Sequence, residues 1–147
     1  MTKVGKSTAK PRRRVLIVSP NFPPVNAPDP QRVRMSLPHY GDFGWDVEVL
    51  ACEPDEESQN IEPELLTDLP ADIPVSRVTP WSPAKTRRFG FGNLGWRSYR
   101  SLQRAGDELL ESGRFDLVFF STTQFVVMAL GPRWLRKFGV RYAVDWQ

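Results

Sequence analysis

One cysteine and one histidine stand among 147 residues, and each scarcity excludes chemistry. A lone Cys52 builds no internal disulfide framework, which suits a reducing compartment. It reads either as a small buried residue at a strand end or as a reactive thiol. A lone His39 rules out a multi-histidine metal site, and Cys52 is not spaced to assist it, so no metal is expected. His39 itself reads as a surface residue at a helix end. No apolar run approaches the roughly 18 residues of a membrane-spanning helix. The opening MTKVGKSTAKPRRR is basic and polar and lacks the apolar stretch of a secretory signal. A cytoplasmic location is expected.

Two phosphate-binding signatures are also missing. Gly5-Lys6-Ser7-Thr8 imitates the end of a phosphate-binding loop. The preceding strand and the earlier glycine that this motif needs are absent, so it reads as tail. No G-x-G-x-x-G follows the first apolar run, which argues against a dinucleotide cofactor. Charge of one sign is missing by segment. No Lys or Arg occurs between Arg34 and Arg77, where Glu53, Asp55, Glu56, Glu57, Glu62, Glu64, Asp68 and Asp72 crowd together. No acid occurs between Asp72 and Asp107, where Lys85, Arg87, Arg88, Arg97, Arg100 and Arg104 gather. Such asymmetry favours an anionic partner.

What is present suits one soluble globular domain: hydrophobic residues make up 40% and charged residues 25% of the chain. The 14 prolines fall mostly in loops, as a residue without an N–H should. Residues 1–13 read as a disordered basic tail, and 14–147 as the domain. Val15 to Val18 is apolar at every position, the pattern of a parallel strand covered on both faces. Asp29-Pro30 predicts a helix start, with Asp as N-cap and Pro at the first helical position. Val33, Leu37 and Tyr40 share one helix face, Pro38 predicts a kink or early end, and Gly44 a stop.

Trp45 to Cys52 reads as the second strand, Glu53 to Asp72 as a long loop with one helical turn, and Val75 to Val78 as the third strand. After a loop over 79–95, a helix is expected from about Trp96 to Ser112, with Tyr99, Leu102, Leu109 and Leu110 inward and Gly113 as cap. A strand over Phe115 to Phe120, a helix over Phe125 to Phe138 interrupted at Gly131-Pro132, and a last strand over Arg141 to Trp146 complete the reading. Alternating strands and helices predict an α/β fold, a Rossmann-like three-layer parallel sheet. The chain stops on what reads as a buried strand with no helix to cover the sheet, so the domain is expected to be truncated at its C-terminal end.

Three clusters carry candidate chemistry. Gln31, Arg32 and Arg34, in the first turns of the first helix, are either an anion site or a solvated face. Ser121, Thr122 and Thr123, at the carboxyl end of an apolar strand, either hydrogen-bond a sugar or phosphate or cap the next helix. Lys85 to Arg104 interleaves Phe89, Phe91 and Trp96, with Arg97, Arg100 and Arg104 on one helix face. That stretch either meets anionic lipid or is a solvated flank; nucleic acid is not expected, because no recognised binding module accompanies it.

Several of these blocks resemble the N-terminal, acceptor-side domain of GT-B glycosyltransferases of the family 4-like type. Arg14 to Pro20 (RVLIVSP) with the Pro-Pro loop and Arg-bearing helix matches that family's opening, and Gly44-Trp45-Asp46-Val47-Glu48-Val49 its second strand. A subgroup is closer, sharing Phe22 to Pro38, Phe115 to Phe125 and Tyr142 to Gln147. The resemblance implies retaining, metal-independent transfer from a nucleotide-sugar, which is a substrate rather than a cofactor, to a sugar or lipid-linked acceptor. It implies a cleft completed by a C-terminal domain that this chain does not contain. Carried over by position, Pro24, Asn26, Ala27 and Asp29 form the loop facing donor phosphate, Gln31 and Arg32 the helix entrance, and Ser121, Thr122 and Thr123 the rim. Many relatives carry Gly-Gly where this chain has Asn26-Ala27, and a histidine near the rim where it has none. No catalytic residue is assigned. Two functions follow as expectations: a glycosyltransferase fragment, inactive by itself and either free in the cytoplasm or peripheral on the inner membrane face, or a non-catalytic module for an anionic ligand or membrane surface.

Overall fold

The apolar runs become a five-stranded parallel sheet in the computed structural model of the chain, which describes residues 11–55, 59–86, 90 and 92–146. Strands β1 (Arg13–Val18), β2 (Trp45–Cys52), β3 (Val75–Val78), β4 (Leu117–Ser121) and β5 (Arg141–Asp145) stand in the order β3-β2-β1-β4-β5. Val15 to Val18 pair with Val47 to Leu50 on one side and Leu117 to Phe120 on the other. The central strand is apolar throughout because both its faces are buried. Val15 and Ile17 enter one core with Phe22, Val33, Leu37, Val47, Val49 and Ala51. Leu16 and Val18 enter the other with Leu50, Leu102, Phe120, Leu130 and Trp134. This alternation is the period-two geometry of a strand, and it gives the expected three layers.

The first core lies under α1 (Pro28–Ser36) and the 3₁₀ segment Leu37–Phe43. The α-helix gives way one residue before Leu37-Pro38, since Pro38 has no N–H to offer the Arg34 carbonyl. Gly44 then stops the segment at φ 76°, a left-handed conformation that favours glycine. The helix start is corrected: Ala27, extended at φ −141°, is the N-cap and Pro28 the first helical residue. Asp29 and Pro30 therefore lie inside the first turn. Both prolines suit an early helical position, and Asp29 has a partner that draws it inward.

The second core lies under α3 (Leu94–Ser112) and α4 (Leu130–Phe138). α3 begins earlier than Trp96, because the Asn93 side chain caps it by accepting from the Gly95 N–H at 2.7 Å. Leu102 and Leu110 are buried, with Tyr99 and Leu109 packed beside them, and the Gly113 N–H bonds the Leu109 carbonyl. The long helix expected over 125–138 is a 3₁₀ turn, Phe125–Ala129, that becomes α4 at Leu130. The break precedes Gly131-Pro132, which places Pro132 in a first turn where a missing N–H costs little. At Gly106 the helices nearly touch: a Cβ there would lie 2.2 Å from Trp134 Cζ2. Trp134 stacks on Phe120 at 5.8 Å, and its indole N–H donates to Asp107 Oδ1 at 2.7 Å.

Further boundaries differ from the sequence reading. β1 takes in Arg13, and Arg12 pairs with Asp46 at 2.8 Å, so the folded body starts before residue 14; residues 1–10 lie outside the described residues. The loop over 79–95 contains a short helix, α2 (Pro83–Thr86). β4 starts at Leu117, and β5 ends at Asp145. β5 is an edge strand paired with β4 alone, and Ala143 and Val144 are exposed, so it is not the buried strand expected. No helix among the described residues is long and apolar enough to cross a membrane.

Candidate functional site

The chain runs outward from β1 to β3 on one side of the sheet, then returns to lay β4 on the other side of β1. Such a reversal opens a crevice at the carboxyl ends of the two strands, the usual ligand position in an open α/β sheet. Here the crevice lies between the β1–α1 loop and the β4 rim at Ser121 to Gln124.

Asp29 joins these walls. It is 1% exposed, and its Oδ2 accepts from the Thr123 hydroxyl at 3.3 Å. The Asn21 side-chain amide donates to both carboxylate oxygens, at 3.3 and 3.2 Å. Asn21 is held in turn by Gln59, whose amide donates to Asn21 Oδ1 at 3.0 Å. A carboxylate in the first turn of a helix complements the positive end of the helix dipole. A second tie crosses the rim further out. Arg32 Nη1 donates to both Asp145 oxygens, at 2.9 and 3.2 Å, and the Ser121 hydroxyl donates to Asp145 Oδ2 at 3.2 Å.

The remaining expected residues hold the loop in shape. Asn26 donates to Glu62 at 2.7 Å and accepts from Gln31 at 3.2 Å, while Gln31 accepts from Arg34. Pro24 offers its carbonyl to the Glu62 N–H at 2.8 Å, and Val25 bridges Ile61. Ala27 caps α1, and the Thr122 hydroxyl accepts from the Gln124 N–H at 2.9 Å. Thus Asp29, Arg32, Ser121 and Thr123 are brought together across the crevice, whereas Asn26 and Pro24 bind the acidic segment that folds over the loop and Gln31 links Asn26 to Arg34. Asn21, Gln59 and Asp145 were missed by sequence reasoning. Only Asp145 left a signal, at the carboxyl end of a strand.

The basic stretch is corrected in part. Arg97 is 7% exposed; it donates to the Trp81 carbonyl at 3.0 Å and pairs with Asp55 at 3.7 Å. It does not share a solvated face with Arg100 and Arg104. Arg100 instead lines a surface concavity of about 710 Å³ with Trp81, Trp96, Tyr99 and Gln103. Arg87, Arg88, Phe89 and Phe91, and the Lys85 side chain, lie outside the described residues. His39 is exposed. Burial pushes the Cys52 thiol up to about 11, against the opposing Ser98 hydrogen bond and the nearby Arg97 and Arg77 charges. The buried packing reading of Cys52 holds. Among the described residues, no three His, Cys, Asp or Glu side chains are grouped to hold a metal ion.

No protein-family model matches the chain, and no curated protein matches it. Among solved structures, the chain is similar to that of a UGT transferase from Siraitia grosvenorii in complex with UDP, at 12% identity and a TM-score of 0.51. The match covers 91% of this chain and 28% of that one. At that identity the likeness concerns the fold alone, and the fold the two share is the α/β, Rossmann-like parallel sheet described above.

Proposed function

We propose that this chain is the acceptor-side wall of a glycosyltransferase cleft, acting in sugar transfer from a nucleotide-sugar. The observation that carries the reading is the Asp29–Thr123 bridge at the switch point of the parallel sheet. It sets a hydroxyl rim and a loop-helix entrance opposite each other, where a sugar ring with its several hydroxyls finds partners. The sequence blocks over Phe22 to Pro38 and Phe115 to Phe125 support the same reading, which carries with it, by resemblance, retaining, metal-independent chemistry and a sugar or lipid-linked acceptor. Pro24, Asn26, Ala27 and Gln31 shape the wall; Asp29, Arg32, Ser121, Thr122 and Thr123 border the ligand.

The donor needs a second domain across the cleft, so the 147-residue chain by itself is expected to transfer no sugar. Incubating it with radiolabelled nucleotide-sugars and following product release tests this; turnover by the isolated chain refutes the one-wall reading. In a two-domain enzyme containing it, Asp29→Asn should lower kcat/KM by about tenfold or more, through loss of the charge that orders Thr123.

A second reading, attachment to an anionic membrane surface, draws on Trp81 and Trp96, each about half exposed beside Arg100. Amphipathic aromatics with a cation suit a headgroup layer. Co-sedimentation with anionic liposomes that is unchanged in a Trp81→Ser, Arg100→Ser variant rejects it.

A further inference from the structure

β5 is an open edge whose sequence is its own complement. Among the described residues it pairs with β4 alone, in unbroken register from Arg141 to Asp145. Alternate backbone N–H and C=O groups along its outer side therefore have no strand to pair with, a template for another chain. Natural sheets blunt such edges with prolines, lysines, bulges or very short strands. The opposite edge does so: β3 has four residues and stands between Pro74 and Pro80. β5 carries no proline, lysine or bulge. Its middle, Tyr142-Ala143-Val144, is uncharged, and Ala143 and Val144 are exposed.

Laid antiparallel on a second copy of itself about Ala143, the strand matches at every position. Arg141 stands opposite Asp145 of the partner subunit, and Asp145 opposite Arg141 of the partner subunit. Tyr142 meets Val144 of the partner subunit, an aromatic against a β-branched residue. One step beyond the strand, Trp146, 74% exposed, meets Val140 of the partner subunit. Side chains directly opposite share one face with Cβ atoms about 4.5–5.5 Å apart, within reach of ion pairing and apolar contact. Any other register parts the two charge pairs. The layer over β5 adds to the joint. Gly131 of α4 packs on Tyr142, and Leu135, one turn later on the same helix face, is 43% exposed.

We infer that a second copy of this chain docks on β5, antiparallel and across a two-fold axis at Ala143, joining the two five-stranded sheets into one. The same patch serves both copies, so the assembly closes as a dimer. This inference stands apart from the sugar-transfer reading, yet the joint reaches the crevice. Arg141 of the partner subunit arrives at Asp145, the residue that already holds Arg32 and accepts from Ser121.

Sedimentation velocity of the 147-residue chain tests it. Over about 10–500 µM the average mass should climb from one copy towards two, with a Kd of about 100 µM or tighter. Arg141→Asp sets carboxylates opposite one another at both ends of the joint, and Asp145→Arg sets guanidiniums there. Each variant alone should self-associate about tenfold more weakly or worse. Mixed in equal amounts, the two variants face each other with opposite charges at both ends, and they should associate within about threefold of wild type. Ala143→Cys tests the axis independently of charge: a short bis-maleimide should link two copies, whereas wild type, with its Cys52 buried, should stay unlinked. A wild-type chain that remains a single copy at about 500 µM overturns the inference. Self-association untouched by both reversals, a mixture that stays apart, or Ala143→Cys chains that do not link overturn it as well.

Discussion

Gly106→Ala tests the contact that fixes α4, and with it the β4 rim. The added methyl would meet Trp134 Cζ2 at 2.2 Å, Cη2 at 2.6 Å and Cε2 at 3.2 Å. These are atoms of a rigid ring, fully buried, with Phe120 stacked on one face and Asp107 bonded to its N–H. The ring cannot swing away as a flexible side chain would. Overpacking costs about 1–3 kcal/mol, and displacing the indole from a carboxylate forfeits about 1.5–3 kcal/mol more. Alanine returns about 1 kcal/mol through helix propensity. The net is a loss of about 1.5–5 kcal/mol, or roughly 4–15 °C in Tm for a domain of this size. Urea unfolding followed by tryptophan fluorescence measures it. Gly92→Ala, where a Cβ meets nothing within 4 Å, is the control and should stay within about 0.5 kcal/mol. In a Trp134→Phe background the clash loses its outer ring, so the Gly106→Ala cost should fall by about 1 kcal/mol or more. A Gly106→Ala protein as stable as wild type would refute the close α3–α4 packing.

Two other outcomes follow from groups whose pKa the fold shifts. Burial raises the Asp107 pKa, but hydrogen bonds from Lys137, Trp134 and Arg133 outweigh it and hold the carboxyl below its ordinary value. A depressed folded pKa contributes stability above the unfolded value of about 3.9, and that contribution is lost as pH falls through the folded one. Wild type should therefore exceed Asp107→Asn in stability at neutral pH, with the gap closing below about pH 4 in urea titrations; a gap constant with pH contradicts the assignment. Cys52, buried and with its thiol raised to about 11, should resist a disulfide reagent near pH 8 until the protein is unfolded. Prompt labelling of the native chain would contradict the packing role.

The sequence by itself determined the strands, the two-sided burial of β1, the end of α1 before Pro38 and the stop at Gly44. Each depends on a local rule: side-chain alternation along a strand, the missing proline N–H, and the left-handed freedom of glycine. The start of α1 escaped it, because Pro28 and Pro30 both suit an early helical position and only the pull of Asn21 and Thr123 on Asp29 separates them. Arg97 escaped it for a similar reason. Its spacing matches Arg100 and Arg104, yet a carbonyl at Trp81 and a carboxylate at Asp55 draw it beneath the surface.

The crevice was half legible. Loop, helix entrance and rim stand out as polar residues at strand ends, which is a sequence property. Which of them face one another depends on the sheet order, and sheet order is set by packing between distant segments. Only the tertiary structure brought Thr123 to Asp29 and Asp145 to Arg32, more than ninety residues apart in each case. Hydrogen-bond direction across such contacts determines whether the crevice offers donors or acceptors. No spacing along a chain carries that polarity; it arises only when the two walls meet.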